Sequence, residues 1–124
     1  MKEAAIQGAI VEYLDAVLTS AHRCFAVPNA SRRTKSGRAS NAVPGLRKGV
    51  PDLQIVGRGK VYFVEVKTAR GTPSDEQEEW LAWCTVNSTP WCIARSVDDV
   101  RVALNHWGIP TREAKALPPT IGAE

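Results

Sequence analysis

An aspartate, a glutamate and a lysine stand out along GVPDLQIVGRGKVYFVEVKTA, Gly49–Ala69. Asp52 opens the first of two short apolar runs, and Glu65 and Lys67 lie inside the second. Side chains alternate faces along a strand. Glu65 and Lys67 therefore share a face with Val61 and Phe63, while Tyr62, Val64 and Val66 take the other. A charge in a buried strand costs several kcal/mol unless it is paired or holds a metal. A Glu–Lys ion pair at a strand end emerging into solvent accounts for these two residues taken alone. Asp52 changes the balance. If the two runs pair about a Gly57–Lys60 turn, the start of the first strand lies beside the end of the second. Asp52 then stands next to Glu65 and Lys67. Two carboxylates and a lysine at one sheet end suit a hard divalent cation such as Mg²⁺, bound through oxygen. Such a cation lowers the pKa of a water and neutralises charge on a phosphate under attack. The lysine would orient that water or stabilise the transition state.

The elements that position these residues can be read from periodicity. Residues Lys2 to about Leu18 form a helix, with Ile6, Ile10, Tyr13, Leu14 and Val17 at the 3.6-residue period. Glu3 lies in the middle of that apolar stripe, whereas Glu12 and Asp15 point to the opposite, solvent side. Glu3 is thus a third inward acid, although a place at the positive end of the helix dipole would also explain it. Gln7 borders the same stripe. A strand follows at Cys24–Asn29, stopped by Pro28, then a long loop from Ala30 to Lys48. The hairpin comes next, as Leu53–Val56 and Val61–Lys67. Ser74 caps a helix running to about Val86, with Gln77 at the capping-box position and Trp80, Leu81 and Cys84 on its inner stripe. A strand at Pro90–Ser96 leads to a last helix, opened by Ser96 and ended before Gly108. The order α-β-β-β-α-β-α defines an α/β domain, a mixed central sheet flanked by helices. It occupies residues 1–107. Residues 108–124 form a Pro-containing tail, with Pro110, Pro118 and Pro119, and the chain after Pro110 should be loosely held.

Charge is unevenly distributed. No acid occurs between Ala16 and Pro51, where Arg23, Arg32, Arg33, Lys35, Arg38, Arg47 and Lys48 fall, although the whole chain carries only +3. A loop with only positive charge suits a phosphate backbone, though a solvated surface loop has the same composition. At 124 residues the chain forms one domain. No apolar run approaches the roughly 20 residues that span a bilayer. The N-terminus lacks the pattern of a signal peptide. Three cysteines without a CxxC argue against a disulfide scaffold, so an intracellular, cytoplasmic protein is expected. His22 and His106 lack zinc-ligand spacing, and no P-loop sequence is present. A small-molecule hydrolase would need a nucleophile motif that the chain lacks. Trp80, Trp83, Trp91 and Trp107 read as core or rim aromatics rather than base-stacking platforms.

An inward acid on a first helix, Pro51–Asp52, and Glu65-Val66-Lys67 after a spacer of 12 residues resemble the PD-(D/E)xK nucleases. Within that superfamily the chain resembles the VRR-Nuc family. It shares Glu3-Ala-Ala-Ile6-Gln7 on the first helix, Pro28-Asn29 after a strand, and Gly49-Val-Pro51-Asp52-Leu53. It also shares Phe63-Val-Glu65-Val-Lys67, and Gly71, Ser74, Gln77 and Trp80 at the start of the next helix. The resemblance covers residues 3 to about 105. It implies a restriction-endonuclease-like fold with an αβββαβ core, similar to archaeal Holliday junction resolvases. It also implies a phage or bacterial Mg²⁺-dependent DNA endonuclease, with Mn²⁺ as a substitute, acting as a homodimer on branched DNA. Asp52 and Glu65 would be metal ligands with the Val66 carbonyl, Glu3 would complete the acidic site, and Lys67 would serve the attacking water. Gln77 would stand near the active centre, although its place in a capping box needs no chemistry. The basic residues Arg32, Arg33, Lys35, Arg38, Arg47 and Lys48 would grip the DNA backbone. The alternatives are a nicking or restriction-like nuclease on flaps, duplex or single strands, and a non-catalytic DNA-binding module.

Overall fold

The computed structural model describes residues 1–28 and 43–113. Its elements, in chain order, are α1 (Glu3–Val17), β1 (Arg23–Ala26), β2 (Leu53–Gly57), β3 (Lys60–Val66), α2 (Asp75–Val86), β4 (Trp91–Ala94) and α3 (Val97–Trp107). The order is the one expected from periodicity. Among the described residues, no helix is long and apolar enough to cross a membrane.

The four strands lie side by side in the order β1-β2-β3-β4. The first three are antiparallel, and β4 runs parallel to β3. A parallel neighbour needs a crossover, and α2 supplies it. The β2–β3 turn is the tightest kind, with Gly57 opposite Lys60. Its two central residues, Arg58 (φ 52°) and Gly59 (φ 78°), both take positive φ. That is the primed turn whose twist matches the twist of the flanking strands. The turn sets the register, and Leu53 pairs with Val64.

One face of the sheet carries the main core. Ile6, Ile10, Leu14 and Val17 of α1 pack there with Leu53, Ile55, Tyr62, Val64 and Val66 of the strands, and Val100 and Leu104 of α3. Glu12 and Asp15 point outward as expected. The opposite face holds the row Phe25, Gln54, Phe63 and Trp91. α2 covers its β3–β4 side, where Trp91 Nε1 donates to Thr85 Oγ1 at 2.9 Å. Ser74 and Gln77 close a reciprocal capping box at the start of α2. Ser96 accepts from the Asp99 amide at the start of α3, and Gly108 ends that helix in the left-handed region.

Two expectations are corrected. The first strand ends at Ala26, not Asn29, although the Val27 amide still donates to the Asp52 carbonyl at 2.8 Å. Asn29 lies outside the described residues. The start of the tail is tied down rather than loose. Ile109 is buried, the Arg112 amide donates to the Val17 carbonyl at 2.7 Å, and Glu113 accepts from both Tyr13 and Arg101. The buried isoleucine and the paired carboxylate offset the ordering entropy that its prolines and lack of periodicity alone would not.

Candidate active site

The β2–β3 register carries Asp52 to the end of β3. Leu53 faces Val64, so the next step along brings Asp52 opposite Glu65. The contact is direct: the Val66 amide donates to Asp52 Oδ2 at 2.8 Å. Pro51 is fully buried beneath this corner. Gly49 makes the approach possible. It sits at φ 86°, and a Cβ there would meet the Glu76 backbone of α2 at 2.6 Å. Only glycine allows both the conformation and the close packing.

Glu65 is completely buried and Lys67 nearly so. Lys67 Nζ lies 3.0 Å from Glu65 Oε2 and 4.0 Å from Glu3 Oε2. The nearer contact has the distance of an ion pair without the angles of a hydrogen bond. Both Glu65 oxygens are buried, with no hydrogen-bond partner of good geometry among the described residues. Burial above all, and then the negative charge of Asp52, push the Glu65 carboxyl up to about 7, while Lys67 pulls the other way. Glu3 reaches the same corner from the first turn of α1. One carboxylate oxygen from each of Glu3, Asp52 and Glu65 lies within 4.8 Å of the others.

This donor set fits a divalent cation. Three oxygen donors converge, and the most buried of them, Glu65, has the Lys67 ammonium beside one oxygen but, among the described residues, no hydrogen bond of good geometry. Lys67 offsets part of the cost of burying Glu65, and a hard cation would complete the remaining lone pairs.

Beside the acids is an open cleft of about 460 Å³, lined by Lys67, Lys48, Gly49, Thr72, Ser74 and Gln77 among others. Gln77 thus borders the cleft, but its Oε1 accepts from the Ser74 amide at 2.8 Å and its own amide donates to Ser74 Oγ at 3.2 Å. The box leaves the side-chain NH₂ as the group with freedom to act in the cleft. Lys48 is exposed and lies 3.5 Å from Glu76, a surface pair worth little. Arg47 is exposed one residue earlier. Arg32, Arg33, Lys35 and Arg38 lie outside the described residues.

One contributor gave no sequence signal. Arg95, just after β4, donates from Nη1 to the carbonyls of Thr68 and Gly71, both at 2.6 Å. It gathers the loop that leaves Lys67 and leads to the α2 cap. Nothing around Arg95 marks it as more than a surface cation, because its acceptors are main-chain atoms of a loop some 25 residues earlier.

The four-stranded mixed sheet thus gathers three acids and a lysine at one strand end, and the family to which the chain belongs makes it a nuclease-type, DNA-processing domain. The family model of the VRR-NUC domain matches residues 8–98, and the chain belongs to that family. The match begins after Glu3, which the geometry alone brings to the corner. A solved VRR_NUC domain is 20% identical, with a TM-score of 0.58, covering 85% of this chain and 96% of its own. A solved VRR_NUC domain protein is 17% identical, with a TM-score of 0.53, covering 85% and 86%. These two likenesses bear on the fold. No curated protein matches the chain.

Proposed function

We propose that the protein is a Mg²⁺-dependent endodeoxyribonuclease, with Mn²⁺ as a substitute, that hydrolyses phosphodiester bonds in branched DNA as a homodimer. The observation that carries this reading is the convergence of Glu3, Asp52 and the fully buried Glu65 on one corner, with Lys67 paired to Glu65 alongside. Asp52, Glu65 and Glu3 would hold the cation, with the Val66 carbonyl assisting. The cation would supply a water of lowered pKa and neutralise charge on the scissile phosphate. Lys67 would orient the attacking water and stabilise charge growing on the phosphate oxygens. Its ammonium is held on the acidic side of the cleft by Glu65, which keeps it aimed there without a flexible search. The Gln77 NH₂ would add a donor at the cleft wall. Arg47 and Lys48, together with Arg32, Arg33, Lys35 and Arg38, would contact phosphates, which position DNA without reading its sequence. A two-fold dimer would present two such sites to a symmetric junction.

Cleavage of a four-way junction, a flap and a linear duplex under Mg²⁺ tests the reading, with Asp52→Asn as the control. We expect the junction to be cut fastest, Asp52→Asn to abolish cutting, and binding in Ca²⁺ to persist. Faster cutting of flaps or duplex would favour a nicking or restriction-like nuclease. Binding with no cleavage in any metal would leave a DNA-binding module.

A further inference from the structure

A second cleft, of about 420 Å³, adjoins the first and is lined by Arg47, Lys48, Glu79, Trp80 and Trp83. Lys48 lines both, so the two form one continuous surface. Trp83 is 53% exposed, an unusual outlay of aromatic area on a helix whose buried residues are Leu81 and Cys84. It adds little to the core and is nonetheless held in place. Trp80 meets it edge-on, with ring centroids 5.8 Å apart and planes at 66°. Trp80 is itself fixed, because its Nε1 donates to the Lys48 carbonyl at 3.1 Å. The same bond ties the cationic pair Arg47–Lys48 to α2.

We infer that Trp83, braced by Trp80 and flanked by Arg47 and Lys48, is a stacking subsite for an unpaired nucleobase of the strand that enters the acidic corner. The inference rests on the nuclease reading and names a determinant of its substrate choice. An indole face accepts any base, because every base has a π-face. The bases of a continuous duplex already stack on each other, so the platform rewards only unpaired ones. Arg47 and Lys48 suit the phosphates on either side of such a base. Glu79 at the cleft edge disfavours a phosphate directly over Trp83 and leaves that place to the neutral base. A second copy of the chain is the rival occupant, but two adjacent cations and continuity with the Lys67 cleft favour nucleic acid.

Binding in Ca²⁺ tests this without requiring cleavage. The probes are a short fluorescein-labelled oligo-dT and a blunt duplex of the same length, with the full chain. Trp83→Ala should weaken the single strand by about 5- to 150-fold, and shift the duplex by less than about two-fold. Trp83→Phe should retain most of the single-strand affinity. Equal losses on both probes, no loss on either, or a wild-type chain that does not bind oligo-dT would each overturn the subsite. So would a dimer that becomes monomeric on Trp83→Ala, which would assign Trp83 to a contact between copies. The Asp52→Asn cleavage control fails or succeeds separately, so loss of the subsite and loss of the nuclease reading are told apart.

Discussion

The amide of Val66 donates to Asp52 Oδ2 at 2.8 Å, so the backbone between Glu65 and Lys67 holds the aspartate of the neighbouring strand. Main-chain as well as side-chain contacts therefore hold the corner together. Main-chain geometry, set by the hairpin register, orients one acid, while Glu65 and Lys67 project from the same strand end. A site built on strands in this way loses little entropy on binding a cation or a phosphate.

Removing Lys67 should reveal how much of the corner is electrostatic. Lys67→Ala takes away the cation 3.0 Å from a fully buried carboxylate. Leaving one partner of a buried pair costs up to about 3–5 kcal/mol, and less under acid, where Glu65 can take a proton. Urea melts at neutral pH should show the loss, and Mg²⁺ should restore part of it. Cleavage should fall on the order of 10²–10³-fold, as expected for a lost transition-state donor. Unchanged cleavage would remove Lys67 from the mechanism.

Acidity should stabilise the metal-free protein through Glu65. Its carboxyl is raised to about 7, so between its ordinary value and 7 the folded chain keeps a proton that the unfolded chain releases. This contribution is full below about pH 4.5 and is lost as pH rises through 7, at no more than about 1.4 kcal/mol per pH unit. Melts in EDTA from about pH 5 to 8 should show wild type losing stability relative to Glu65→Gln. A difference independent of pH would contradict the shift. Cation affinity should rise over the same range, because the proton and the metal compete for one carboxylate.

Gly49→Ala should be damaging although no chemistry is assigned to Gly49. The residue lies at φ 86°, and the added methyl would meet the Glu76 backbone at 2.6 Å. Backbone strain alone amounts to about 1–2 kcal/mol, and the clash adds to it by prising α2 from the loop that carries Lys48. Denaturation midpoints and cleavage rates should fall together. A midpoint equal to wild type would mean that the loop yields freely.

Gln77 separates a cap from a catalyst by a single substitution. Gln77→Glu keeps an oxygen to accept from Ser74 and preserves the box, but removes the NH₂ donors at the cleft. The melting temperature should hold while cleavage falls. Equal cleavage would confine Gln77 to its cap. Gln77→Ala should also lose the side-chain half of the box, at about 0.5–1 kcal/mol, while Ser74 Oγ still accepts from the backbone amide of residue 77.

Much of the site was legible because its parts are local. Period-two alternation put Glu65 and Lys67 on one face, and the Gly57–Lys60 turn brought Asp52 back beside them. The Ser74–Gln77 box and the Ser96 cap are patterns of three or four residues. Glu3 followed from helical geometry applied to its own stripe. Short-range sterics and hydrogen bonding decide such features, so residue order alone points to the α/β element sequence and to Asp52 beside Glu65 and Lys67, whereas Glu3 meets them only through the packing of α1.

Depth and neighbours across the fold are another matter. That Glu65 is wholly buried with Lys67 as its ion-pair partner depends on the elements that close around one strand end, the Gly49 loop against α2 among them. Arg95 finds its carbonyls, Ile109 finds the core, and Trp83 stays half in water while Trp80 is tied to Lys48. Each outcome joins segments far apart in the chain, and burial belongs to the packed arrangement rather than to any residue's type. Residue type and spacing thus name the groups able to do the chemistry, while how deeply each is held, and beside what, follows from packing between distant segments.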